Sequence, residues 1–217
     1  MPKEMQRGNR DMKYGLMANV LPFMLDKVIY QSLKDSGVEL LRSDKTAIRR
    51  EYKSMVKRTP GLEKGHSLEH ILYMGCYLLS FYKAFPEKIT EPVFKKLIED
   101  LCEEMKRRGK EDDSMFKEKT IKIREEAAIK SQSSTYEMDW KSTFRRVNAD
   151  NYEFTYTKCG LCELGRRENC LHLIKYLCMT DFVSFDLGGA RLERNHTLAN
   201  GDEYCDFHVF RKEVTKK

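Results

Sequence analysis

The hydrophobic period of this chain changes once, between Ser131 and Thr135, and that change constrains the fold more than any other feature. Before it, apolar residues recur at helical spacing. After it, they alternate with polar ones, as in strands with one buried face. Five helices are expected upstream: Tyr14 to Lys34, interrupted by Pro22 and ended by Gly37; Asp44 to Lys57; Ser67 to Lys83, apolar nearly all round; a stripe of Phe94, Leu97, Ile98, Leu101 and Met105, with Thr90 as cap and Gly109 as stop; and a heavily charged Ser114 to Lys130. Downstream, Trp140 to Val147 and Tyr152 to Lys158 read as a hairpin, Glu168 to Met179 as a short helix, and the residues around Asn200-Gly201 as a second hairpin with a type I′ turn. The expected fold is therefore α+β: a helical N-terminal layer packed on a small antiparallel sheet (β-β-α-β-β) in the C-terminal part. The boundary divides a helical layer, residues 1–135, from a motif-bearing α+β part, residues 136–217, joined as one integrated unit.

The second hairpin carries the chemistry. With Asn200-Gly201 as its turn, His196 faces Cys205, Arg194 faces Phe207, and Arg194, His196 and Cys205 share one side of the sheet. Thr197, Tyr204, Asp206 and His208 take the other. Upstream, Cys178 and Asp181 lie three apart, on one face of the short helix. The order C-x-x-D at Cys178 to Asp181, R-x-x-T-L-A-x-G at Arg194 to Gly201, and C-D-F at Cys205 to Phe207 resembles the L-2-amino-thiazoline-4-carboxylic acid hydrolase family, over roughly Tyr152 to Arg211. The resemblance implies hydrolysis of a cyclic amidine-like ring combining a sulfur, a C=N bond and a carboxylate, which yields an N-carbamoyl amino acid.

On that reading Cys178, Asp181 and Cys205 are the catalytic candidates. Cys178 or Cys205 would be the nucleophile, and Asp181 would polarise or protonate a ring nitrogen or activate water directly. A His196 imidazolium opposite Cys205 would lower its thiol pKa. Arg194 suits a substrate carboxylate, because its planar fork donates two charge-assisted hydrogen bonds. His196, Thr197 and Asp206 complete the expected substrate-binding set. Asp206 has a second reading, bracing the hairpin or orienting Arg194 from behind. Each thiol also has a plain reading as a buried core cysteine.

Cys159-Gly160-Leu161-Cys162, followed by Cys170, is the competing constellation, a zinc site in the alternative reading. No helix start is evident at the C-x-x-C, which argues against a vicinal redox pair. His66-Ser67-Leu68-Glu69-His70 spells the H-x-x-E-H of inverted zinc peptidases, without an identifiable third ligand. The preferred expectation is no cofactor. The rival function is a small-molecule or metal-binding sensor module without turnover.

Composition excludes other classes. The net charge is +6, but Lys and Arg interleave with Asp and Glu throughout, which does not make the basic stripe of a nucleic-acid binder. The longest uncharged run, Ile71 to Tyr82, falls short of the ~20 residues that span a bilayer. Met1-Pro2-Lys3-Glu4 begins no apolar leader, and the seven cysteines form an odd set, so a cytoplasmic protein with free thiols is expected. The expected partner is a small carboxylate-bearing substrate, with no nucleic acid and no membrane. The stripe of Tyr14, Met17, Met24 and Tyr30 reads as core, or as the face of a homodimer.

Overall fold

The computed structural model describes residues 11–213; the reading of Met1 to Glu4 lies outside them. The helix that is apolar nearly all round, α3 (Glu69–Ala84), becomes the centre of the helical layer, with Leu72, Cys76, Tyr77, Leu79 and Phe81 fully buried. Against it lie α1 (Leu16–Asp35) and α2 (Arg42–Arg58). Half-buried polar groups tie the three together: the buried Tyr77 and the partly exposed Arg49 both bond Asp26. Gly37, at φ 77°, follows the end of α1 in the left-handed conformation that stops a helix at low cost. In α4 (Glu91–Arg108) the expected stripe of Phe94, Leu97, Ile98 and Leu101 is buried. A single 3-10 turn, Ser114–Phe116, leads into α5 (Glu118–Ser131). The methionine stripe is only partly core. Tyr14 packs edge-on to Tyr52 at 5.5 Å, whereas Met17 and Met24 are exposed.

The polar break at Ser131 is where helix hands over to sheet. Ser131 Oγ accepts the backbone N–H of Ser142 at 3.0 Å, and Gln132 donates its side-chain amide to the Ser142 carbonyl at 2.6 Å. Strands β1 (Lys141–Arg146) and β2 (Asn151–Lys158) form the first hairpin, as expected. With β3 (Ala190–Glu193) and β4 (Cys205–Arg211) they make one antiparallel sheet in the order β1-β2-β4-β3. Alternation sends Tyr152, Phe154 and Tyr156 of β2 and Cys205, Phe207 and Val209 of β4 to the inner face, paired Tyr156 to Cys205 and Phe154 to Phe207. The last pair stacks at 4.4 Å. The outer face is polar, with Glu153 bonded to Arg145 at 2.5 Å. Inside, α5 covers the sheet at β1 and α8 covers it at β3.

Two expectations need correction. The expected helix Glu168 to Met179 is the shorter α7 (Leu171–Leu177), and two helices not expected flank it, α6 (Gly160–Arg167) and α8 (Met179–Leu187). Asn169, at φ 55°, breaks the run, and the Cys170 N–H returns to the Gly165 carbonyl at 2.7 Å. The second hairpin does not close through a two-residue type I′ turn. Its register, Leu192 to Val209 and Glu193 to His208, is the one such a turn would set. However, the connection holds a 3-10 turn at Leu198–Asn200, and only Gly201 adopts positive φ, at 95°. Among the described residues no helix is long and apolar enough to cross a membrane.

Candidate functional site

Three helix ends and the inner face of the sheet meet around Asp181. Helix α7 passes into α8 at Cys178, which puts Asp181 in the first turn of α8. Arg194 follows β3 directly, one residue past the last ladder pair, Glu193 with His208, and its guanidinium reaches inward over Phe207. The guanidinium donates to Asp181 Oδ2 at 2.7 Å and to the Cys178 carbonyl at 2.9 Å. It lies over the rings of Phe182 and Phe207, 4.9 and 5.0 Å from their centroids. Only 5% of the Arg194 side chain is exposed, against 38% for Asp181. The carboxyl is thus reachable by water, yet desolvation by the surrounding protein pushes its pKa above the ordinary value, against the lowering pull of Arg194 and Arg124. Asp181 thus lies in a partly exposed recess where α7, α8 and the end of β3 meet.

Three of the cysteines around this recess behave differently from one another. Burial and the nearby Asp181 carboxylate push the Cys178 thiol well up. Burial raises Cys205 to about 11, and its Sγ accepts the Leu198 N–H at 3.2 Å. Cys159, the N-cap of α6, goes the other way. Its side chain makes no capping hydrogen bond, but the neighbouring Cys162 thiol and the N–H dipoles at the start of α6 favour its thiolate, so its pKa falls despite burial. Cys162 pays the converse and rises. The C-x-x-C does therefore sit on a helix N-terminus, contrary to expectation. Its backbone can press there because Gly160 has no Cβ; one would collide with the Met138 carbonyl and the Trp140 ring.

The other expected site residues separate from this group. His196 does not face Cys205. The chain leaves the ladder after Glu193, and the imidazole lies outside, 47% exposed, 3.5 Å from Asp206 Oδ2 and against Tyr204. The thiolate–imidazolium pair is therefore not formed. Asp206 accepts the backbone N–H groups of Asn195 at 3.0 Å and His196 at 2.6 Å. It braces the segment following Arg194, the second of its two readings. Thr197 builds the loop: its hydroxyl accepts the Asn200 N–H at 3.2 Å and its own N–H reaches Asp202 at 2.7 Å. Arg194, expected at the substrate carboxylate, has its two terminal nitrogens engaged by Asp181 and Cys178.

The metal constellations are not assembled. Cys170 turns its thiol to the Glu168 carbonyl at 3.3 Å, on the side of α6 that faces Lys83 and Glu51. His66 precedes α3, so it does not share a helix face with His70. It bonds Asp139 at 3.0 Å and stacks on Trp140. Among the described residues no three His, Cys, Asp or Glu side chains are placed to hold a metal ion.

Beside the recess, a cavity of about 800 Å³ opens between α5 and the first hairpin, lined by Phe144, Phe154, Tyr156, Trp140, His66 and Arg124 among others. Arg124 and Tyr156, which line this cavity, both lie near enough to Asp181 for charge to act between them.

The chain is thus an α+β protein whose C-terminal part gathers a partly exposed carboxyl, a buried arginine that clamps it and several cysteines in one place. The profile of the L-2-amino-thiazoline-4-carboxylic acid hydrolase family matches residues 67–209, more than half of the chain, which belongs to that family. No curated protein matches it. Among solved structures, an oxygen-binding H-NOX domain related to soluble guanylate cyclases aligns over 93% of this chain and 98% of its own, at 13% identity and a TM-score of 0.30.

Proposed function

We propose that the recess around Asp181 opens a small cyclic amidine ring by hydrolysis, with 2-amino-thiazoline-4-carboxylate as the model substrate. One observation carries the reading: the partly exposed Asp181 carboxyl is held by the buried Arg194 beside Cys178, and Cys159 lies close enough for the two ionisations to affect each other. Cys159 takes the attacking role expected of Cys178 or Cys205, because only its thiol is stabilised as thiolate. Its Sγ adds to the amidine carbon, and the ring C–S bond breaks as Asp181 protonates the departing sulfur. Asp181, now a carboxylate, takes a proton from the water that attacks the resulting S-alkyl isothiourea. Cys159 thiolate leaves, and the product tautomerises to the N-carbamoyl amino acid with a free thiol. Arg194 holds Asp181 in place throughout and binds no substrate.

The new thiol gives the test. Wild-type protein incubated with 2-amino-thiazoline-4-carboxylate should release thiol catalytically, measured after the protein is removed. Asp181→Asn should lose roughly 10²-fold or more, the usual worth of an acid–base group. Absence of thiol release by the wild type, or a full rate in Asp181→Asn, would overturn the proposal. A full rate in Cys159→Ser would leave Asp181-activated water as the attacking group.

A further inference from the structure

Arg124 is an unusual residue for a helix as charged as α5. It lies on the buried stripe with Ile121 and Ala128, not on the solvated face. Its guanidinium carbon is 5.8, 5.4 and 5.2 Å from the ring centroids of Tyr152, Phe154 and Phe185. A cation can be held this way, but stacking uses the faces of the guanidinium and leaves its N–H edge unspent. That edge is poorly used here. One terminal nitrogen donates to the Met115 sulfur at 3.1 Å, a weak acceptor, and the buried Nε has no partner among the described residues. No carboxylate among the described residues pairs with it; the nearby Asp181 is taken by Arg194. A buried donor without an acceptor is costly unless something arrives to accept.

Arg124 also lines the cavity of about 800 Å³, together with Phe144, Phe154, Tyr156 and Trp140. We infer that this cavity is the binding site for a small planar carboxylate, with Arg124 as its anion anchor and the aromatic wall as the surface on which the ring lies. A planar fork matches a carboxylate through two parallel bonds, and desolvated surroundings strengthen them. The inference rests on the reading of the recess as the catalytic centre only for its choice of ring chemistry. The anchor itself stands on the geometry of Arg124. It transfers to Arg124 the role that Arg194 cannot fill.

Trp140 is the only tryptophan in the chain and lines this cavity, so its fluorescence reports on the site directly. The probes are thiazole-4-carboxylate and its neutral isostere, thiazole-4-carboxamide. Titration of the full chain with the acid should change Trp140 emission saturably, and the amide should bind about tenfold or more weakly. Arg124→Gln should reduce affinity for the acid to that for the amide while leaving the amide unchanged. Arg124→Lys, which keeps the charge but loses the fork, should fall between, and it serves as the informative variant if Gln at this stacked position disturbs folding. Equal binding of acid and amide by the wild type, no binding of either, or undiminished acid binding in both variants would overturn the inference. Because binding is read without turnover, a protein that binds the acid through Arg124 but hydrolyses nothing would refute the catalytic proposal alone.

Discussion

Replacing Arg194 with Met separates the structural work of the Asp181–Arg194 pair from its packing. The thioether chain can still fill the slot between Phe182 and Phe207, so apolar contact is largely kept. What is lost is the 2.7 Å partner of Asp181 and the donor to the Cys178 carbonyl. Removing one member of a buried ion pair costs roughly 3–5 kcal/mol. Asp181, however, keeps 38% of its side-chain exposure, and it can shed its charge by taking a proton. Discounted for that screening, a loss of about 2 kcal/mol is expected near neutral pH. In a chain of this size that lowers Tm by about 4–8 °C.

The pH dependence tests the cause. Desolvation already raises the folded-state pKa of Asp181, and Arg194 opposes the rise. Without Arg194 the carboxyl rises further. A folded state that binds the proton more tightly than the unfolded chain is favoured at low pH and loses stability as pH rises through the raised value. The Arg194→Met deficit should therefore be small below about pH 4, the unfolded value, and grow through the window above it. Adding Asp181→Asn, which buries no charge, should restore most of the loss. Urea denaturation of the wild type, both single variants and the double variant across this pH range measures all of it. A deficit of equal size at acid and alkaline pH, or a double variant no more stable than Arg194→Met, would refute the reasoning.

Limited alkylation near neutral pH, mapped by mass spectrometry, should modify Cys159 first and leave the buried, raised Cys76, at about 12, and Cys170, at about 11, untouched. Earlier labelling of Cys178 or Cys205 would return the nucleophile to them. Asp206→Ala should strand the N–H groups of Asn195 and His196 and cost about 2 kcal/mol, read by the same denaturation. Burial works against the Asp206 carboxylate, but those N–H groups prevail and hold its pKa below the ordinary value. Its contribution is thus full above the unfolded pKa and fades as pH falls through the folded one, the reverse of Asp181.

The helical layer was legible because burial of a stripe and its spacing in sequence are the same fact, as Phe94, Leu97, Ile98 and Leu101 show. The strands were legible for the same reason at period 2, and the register of β3 on β4 followed from it even though the turn did not. A register is set by which face is buried, so it survives a longer connection. Of the run from Gly160 to Leu187 only the middle helix was anticipated, because its helices have seven to nine residues each, too few for a period to declare itself. Within it, the helix start at the C-x-x-C went unread, although Leu161 and Leu164 beside the cysteines are core residues at helical spacing.

The site was half legible, and the missing half follows one pattern. Short motifs mark positions, not the partners that fix a residue's role. Arg194 and Asp181 were both found, but nothing in the spacing says that each consumes the other. Cys205 was found, but its neighbour depends on where the chain leaves the ladder, one residue before Arg194. Arg124 was overlooked inside a helix that reads as solvated, and yet a signal was present: it sits three residues after Ile121 and four before Ala128, on the apolar stripe. A cation on a buried stripe must pair, stack or wait for a ligand. With Asp181 claimed by Arg194, stacking is what the fold itself provides, and the unspent N–H edge is what remains for a substrate.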